Sequence, residues 1–249
     1  TESVAGDERI GESERRDAAD EPEDNELPGD NDIDFHAEWS DTYKVACQCL
    51  YGSDEKEPDF KEAFRLFSGE AEEGNALAMF DLGRMYADGL GREADPAKAH
   101  EWYGKALTAF VAAEQCAEER QRPYLQYRIG KMYAAGLGYE LPVVPDEEGG
   151  DGKAVRDYEK AVAWLEKAAE AEHASAQYAL ANIYLAGEAV AKDVTKATEL
   201  FTRAAKQGHD YAAYQLGKQF LQGEETEKDV ELLIIDVMMP KLDGIRATL

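Results

Sequence analysis

The chain has 249 residues, a formal net charge of −26 and an apolar fraction of 44 %. That is enough apolar side chain to bury a core, but the negative charge repels phosphates at long range, which excludes direct binding to nucleic acid or an anionic membrane. No apolar run reaches the ~18 residues of a membrane span, and no signal-peptide pattern opens the chain.

Residues 1–34 hold 14 acidic and 3 basic side chains, a net −11, and almost no aromatic residue. Such a segment cannot bury enough apolar surface to offset its ordering, so it reads as a disordered acidic arm. The start at Thr1 without a Met suggests a piece cut from something longer.

From residue 35 to 230 the sequence repeats itself. A first block recurs as "DTYKVACQCLYGS" (41–53), "ALAMFDLGRMYADGLG" (76–91), "YLQYRIGKMYAAGLG" (124–138), "ASAQYALANIYLAGE" (174–188) and "DYAAYQLGKQFLQGE" (210–224). A second block follows the first four: "FKEAFRLFSGEAEEGN", "PAKAHEWYGKALTAF", "YEKAVAWLEKAAEAEH" and "VTKATELFTRAAKQGH". Apolar residues fall at three- and four-residue steps in both blocks, the period of a helix. The register places Val45, Leu82, Ile129, Leu180 and Leu216 at the core position of the first block, and Leu66, Trp102, Trp164 and Leu200 at that of the second. Gly83, Gly130 and Gly217, with Ala181 in the remaining copy, mark a mid-helix position where a neighbour comes close. Gly89, Gly136, Gly187 and Gly223 end the first helix, where a left-handed residue suits glycine. The unit is a helix–turn–helix hairpin.

The core positions lie 37, 47, 51 and 36 residues apart. About 11 extra residues fall in "KALTAFVAAEQCAEERQRP", enough for roughly three turns of helix, so that helix should lengthen in phase. About 15 more fall in "YELPVVPDEEGGDGKAV", whose Pro and Gly mark a protruding loop. Cys47, Cys49 and Cys116 make an odd count without zinc spacing, two of them at apolar repeat positions. They point to buried thiols in a reducing, cytoplasmic setting. No metal or cofactor motif appears.

The combination A-x-x-x-L-G-x-x-Y-x-x-G followed by K-A-x-x-W-x-x-K-A resembles the Sel1-like repeat family, relatives of the tetratricopeptide repeat. The resemblance spans about residues 40–230. It implies an all-α fold, a right-handed α-solenoid of stacked hairpins, and a non-catalytic adaptor for other proteins. One subset of the family carries a disulfide in each repeat; the paired cysteines are missing here. The stretch from "GNALAMFDLGRMYADGLG" to "YRIGKMYAAGLG" is also similar to the Sel1-repeat region behind the relaxase domain in mobilisation proteins of Firmicutes mobile elements. That implies an accessory role in DNA processing, with no relaxase chemistry in these residues.

The tail, 231–249, breaks the repeat. "LLIIDVMMPKLDG" resembles the third strand and loop of a response-regulator receiver, with Asp236 as phospho-acceptor, Pro240 four residues on and Gly244 eight on. A receiver's acidic pair, Thr/Ser and Lys are missing, so nothing here would stabilise a transferring phosphoryl group at Asp236. Alternatively Val230, Leu233, Ile234, Val237 and Met238 fall on one helical face, and the tail caps the last first helix. The favoured expectation is a capping helix.

In stacked hairpins the first helices line the concave surface. Arg84, Lys131, Asn182 and Lys218 share one position on it, so three cations and an amide form a ladder on an acidic protein. This points to a groove for a protein or acidic peptide, the chain's own arm included. Ordinary solvated pairing with nearby acids is the alternative. His173 and His209 fall in equivalent turns, where they are expected to cap helices.

Overall fold

A computed structural model describes residues 40–52, 56–140, 143–144, 153–154, 156–187 and 190–222. The acidic arm (1–34), the receiver-like tail with Asp236 and the expected cap lie outside the described residues.

Nine α-helices occur among the described residues: α1 (Asp41–Tyr51), α2 (Phe60–Glu72), α3 (Ala76–Asp88), α4 (Pro96–Cys116), α5 (Arg122–Ala135), α6 (Tyr158–Glu170), α7 (Ala174–Ala186), α8 (Val194–Lys206) and α9 (Asp210–Gln222). Each packs chiefly on the helix before and the helix after it. Odd-numbered helices are the first helices of hairpins and even-numbered ones the second. This nearest-neighbour packing is that of an α-solenoid, in which each hairpin needs its neighbours to bury its apolar side.

The start signals are periodic. Asp59, Asp95, Asp157 and Asp193 each cap a second helix, accepting the backbone N–H three residues on. Asn75 caps α3, and the Nδ1 atoms of His173 and His209 accept from Ala176 and Ala212 at 3.2 Å, as expected of these two residues. Gly89, Gly136 and Gly187 close α3, α5 and α7 in the left-handed conformation, with φ near +70°.

Burial confirms the core register of the first helices from Leu82 onward: Leu82, Ile129, Leu180 and Leu216 are at most 2 % exposed. It corrects the first copy. Val45 is 46 % exposed and Ala46 is fully buried, which restores a spacing of 36 to Leu82. In the second helices the innermost residue lies one place later than expected. Phe67, Tyr103, Leu165 and Phe201 are buried, whereas Leu66, Trp102 and Trp164 are only partly so; Leu200 is buried as well. Trp102 and Trp164 lie flat under Lys105 and Lys167, each 4.0 Å from the ring centre.

Gly83 and Gly130 face that innermost residue; Gly217 does not follow them, since a Cβ there would meet no described atom within 4 Å. A Cβ on Gly83 would meet the Tyr103 ring at 2.8 Å, and one on Gly130 the Leu165 side chain at 2.7 Å. Overpacking of this kind outweighs the ~1 kcal/mol of helix propensity that alanine supplies. Gly130→Ala should therefore lower the unfolding free energy by about 1–2 kcal/mol in urea, while Gly69→Ala at an exposed place on α2, where nothing lies within 4 Å, should raise it. A stabilised Gly130→Ala would mean that α5 and α6 have slack between them.

Both insertions keep the stack intact. Helix α4 has 21 residues against 13 in α2, α6 and α8, a gain of eight. The remaining three of the eleven widen the turn and add one residue to α5 before Ile129. In the second insertion, Val143–Val144 and Lys153–Ala154 pair antiparallel as β1 and β2, a ladder not anticipated in the loop. In the uninserted hairpins the capping aspartate's N–H donates straight to the first helix: Asp95 to the Tyr86 carbonyl at 2.8 Å, and Asp193 to that of Tyr184 at 3.0 Å. Across the insertion the Tyr139 hydroxyl relays this bond. It accepts from Asp157 N–H at 2.7 Å and donates to the Tyr133 carbonyl at 2.9 Å. The clasp between the two helices is thus kept at the base of the added loop.

Candidate protein-binding face

The four residues of the expected ladder sit at one register position of successive first helices. Arg84, Lys131, Asn182 and Lys218 occupy equivalent positions on α3, α5, α7 and α9, all partly buried. Their surroundings differ. Lys131 lies over the Tyr127 ring at 5.6 Å. Arg84 is drawn into a network, with only 17 % of its side chain exposed.

Three helices contribute to that network. The Tyr43 hydroxyl on α1 donates to Asp81 Oδ2 on α3 at 2.6 Å, and Arg84 pairs with Asp81 Oδ1 at 3.3 Å. Arg84 also donates to the Tyr51 hydroxyl on α1 at 2.9 Å. Asp81 itself is 7 % exposed. Burial pushes the Tyr43 hydroxyl well above its ordinary pKa, and the Asp81 carboxylate pushes it further. Burial works against the charge on Arg84, but Asp81 and Tyr51 outweigh it and hold the guanidinium above its usual value. These groups lock α1 to α3 by charge-assisted bonds.

A further cation was not singled out in the sequence. Arg128 on α5 lies 4.3 Å from the centre of the Phe80 ring on α3 and 5.7 Å from that of Phe110 on α4. Burial opposes its charge, while Tyr124 and Asp81 favour it and keep its pKa raised. A cation one place before the core leucine or isoleucine interrupts the apolar pattern. That interruption was the available signal.

The hairpin edge carries a second periodic feature. Lys98, Lys160 and Lys196 lie over the rings of Tyr86, Tyr133 and Tyr184 at 5.6, 5.3 and 4.1 Å, tying each second helix to its first. Next to it, His173 stacks on Tyr127 and His209 on Tyr178, with ring centres 4.9 and 4.6 Å apart. These residues tie helices and hairpins together. Among the described residues no three His, Cys, Asp or Glu side chains gather as a metal site. No described helix is long and apolar enough to cross a membrane.

The cysteines are unpaired, Cys47 and Cys49 buried and Cys116 exposed. Burial, then Asp81, pushes the Cys47 thiol up to about 12, so it holds almost no thiolate near neutral pH. Iodoacetamide at pH 8 should add once per native chain, at Cys116, by peptide mass mapping. Rapid labelling of Cys47 would show that α1 lifts off the stack.

The repeat pattern is also that of a known family. The Sel1 repeat model matches residues 42–68, 76–109, 123–148, 147–173, 174–209 and 210–232. The third and fourth matches divide the single hairpin α5–α6 at its inserted loop. The ERAD-associated E3 ubiquitin-protein ligase component HRD3B of Arabidopsis thaliana is 33 % identical over 134 residues, 53 % of this chain and 17 % of that protein. The chain therefore spans about a sixth of that relative. Among solved structures, a Sel1 repeat protein from Oxalobacter formigenes is 27 % identical, with 73 % of this chain and 63 % of that one covered and a TM-score of 0.49. The protective antigen c5321 of uropathogenic Escherichia coli, described as an SLR fold, is 26 % identical over 73 % of this chain and 41 % of its own, with a TM-score of 0.38. With the repeat model matched over most of its length and the hairpins stacked in register, this chain belongs to the Sel1 repeat family.

Proposed function

We propose that this chain is a protein-binding scaffold, without enzymatic activity of its own, that holds an extended acidic segment along the face of its first helices. The observation that carries this reading is the placement of charge. On a chain of net charge −26, Arg84, Arg128, Lys131 and Lys218 share the face that a solenoid offers to a ligand. A relative named as a component of a ubiquitin ligase fits a role in assembly. The chain's own arm has the required composition and is a candidate occupant in cis; an acidic segment of another protein is the candidate in trans. The three unpaired cysteines support a reducing, cytoplasmic setting.

The test uses a fluorescein-labelled peptide of residues 20–35 and its analogue with every Asp and Glu as the amide. The full chain carries the same amide exchange at the eight acids from Asp20 to Asp34, so that its arm does not compete. Saturable anisotropy with the acidic peptide, weakening with salt and missing for the amide analogue, is the expected result. No binding of the acidic peptide at 50 mM salt would sink the scaffold reading.

A further inference from the structure

We infer that Arg128 is the anchor of this face: it seats a single carboxylate of the bound segment. The inference rests on the reading above and goes beyond it by naming the residue and the ligand chemistry.

The case begins with unused capacity. A guanidinium presents five N–H donors in a fixed fork and stays charged. Arg84 is already held by Asp81 and Tyr51, both through Nη2, and its unpartnered Nε is buried out of reach of a ligand. Arg128 is half-buried, with its guanidinium carbon over the Phe80 ring, and no hydrogen bond or ion pair joins it to another described residue. Asp81 is near enough to favour its charge, yet its two oxygens are engaged by Tyr43 and Arg84. A partly desolvated, stacked arginine with open donors is the arrangement that binds a carboxylate through two parallel hydrogen bonds.

Charge selects the ligand. Arg84 and Arg128 against Asp81 leave this cluster at +1, since two cations meet one anion. A carboxylate brings −1 and balances it. A phosphate monoester brings about −1.5 to −2, overshoots the balance, and meets Asp81 and a strongly acidic chain. The occupant is therefore an Asp or Glu of an extended protein segment, not a phosphorylated residue.

The peptide titration described above, in the same arm-exchanged full chain, supplies the test. Arg128→Gln should weaken binding of the acidic peptide about tenfold or more, the scale of a charge-assisted pair. Arg128→Lys keeps the charge but loses the fork and should fall between. Arg122→Gln, which removes the same charge from an exposed place on the same helix, should change affinity less than about twofold. Circular dichroism and urea melts show that each variant is folded. Because Arg128→Gln also removes the stack on Phe80, Arg128→Lys is the variant read if it unfolds. Equal losses in Arg128→Gln and Arg122→Gln, full affinity in Arg128→Lys, or tighter binding when Asp24 of the peptide is replaced by phosphoserine would overturn the inference. In the first two cases the wild-type peptide still binds, so the scaffold reading stands without its anchor. Loss of wild-type binding removes both.

Discussion

Replacing Phe201 by alanine should cost about 3–5 kcal/mol of unfolding free energy. The ring has no exposed surface and sits at the innermost position of α8, in tilted contact with Tyr178 on α7, 5.7 Å between centres. Deleting it loses the transfer energy of the ring and leaves a cavity between the two helices of one hairpin that cannot close without shifting α7. Trp164→Ala, at the outer neighbouring position in α6, should cost clearly less, because that side chain is partly exposed and covered by Lys167. Urea unfolding of both variants gives the comparison. A larger loss for Trp164→Ala would return the core to the register read from sequence alone.

Asp81→Ala is the second large effect, about 2–4 kcal/mol. The substitution leaves the Arg84 guanidinium, 17 % exposed, without its counter-charge and the buried Tyr43 hydroxyl without its acceptor. Partial exposure of Arg84 lets water relieve some of the cost, which keeps it below that of a fully buried pair. Asp81→Asn retains an acceptor for Tyr43 and should cost about half as much. The loss should be local: hydrogen exchange should rise in α1 and α3 and stay unchanged in α7 and α8, because solenoid hairpins report mainly to their neighbours. Uniform loosening through α8 would contradict nearest-neighbour energetics.

Much of this architecture was legible in the residues. A 36-residue period, phased glycines and recurring aspartates are local signals, and each specifies the same hairpin. The errors have a common physical origin. Leu66–Phe67, Trp102–Tyr103 and Trp164–Leu165 are adjacent apolar pairs about 100° apart on a helix, and periodicity cannot tell which member is innermost. Size favoured tryptophan, yet its ring is placed where it covers the core beneath a lysine stem. Val45 and Ala46 form a similar pair in the first copy, where the smaller residue is the buried one. The pairing of Val143 with Ala154 depends on two-residue strands, too short for an alternation signal.

On the proposed binding face, the shared position of Arg84, Lys131, Asn182 and Lys218 followed from register. What each one touches did not. Tyr43 and Asp81 are 38 residues apart, and Arg128 meets Phe80 from the next hairpin. Such contacts depend on how hairpins stack, which no single block encodes. The resemblance around Asp236 concerns residues outside those described.

The central claim is that an acidic segment lies along the first helices, and zero-length cross-linking tests it most directly. Carbodiimide treatment of the full chain, alone and with the 20–35 peptide, joins carboxylates to amines in contact, and mass mapping locates the links. The account predicts links from Lys131 and Lys218 to acids of the arm or the added peptide, suppressed by salt. Links confined to second-helix lysines such as Lys61, Lys105, Lys167 and Lys206 would contradict it.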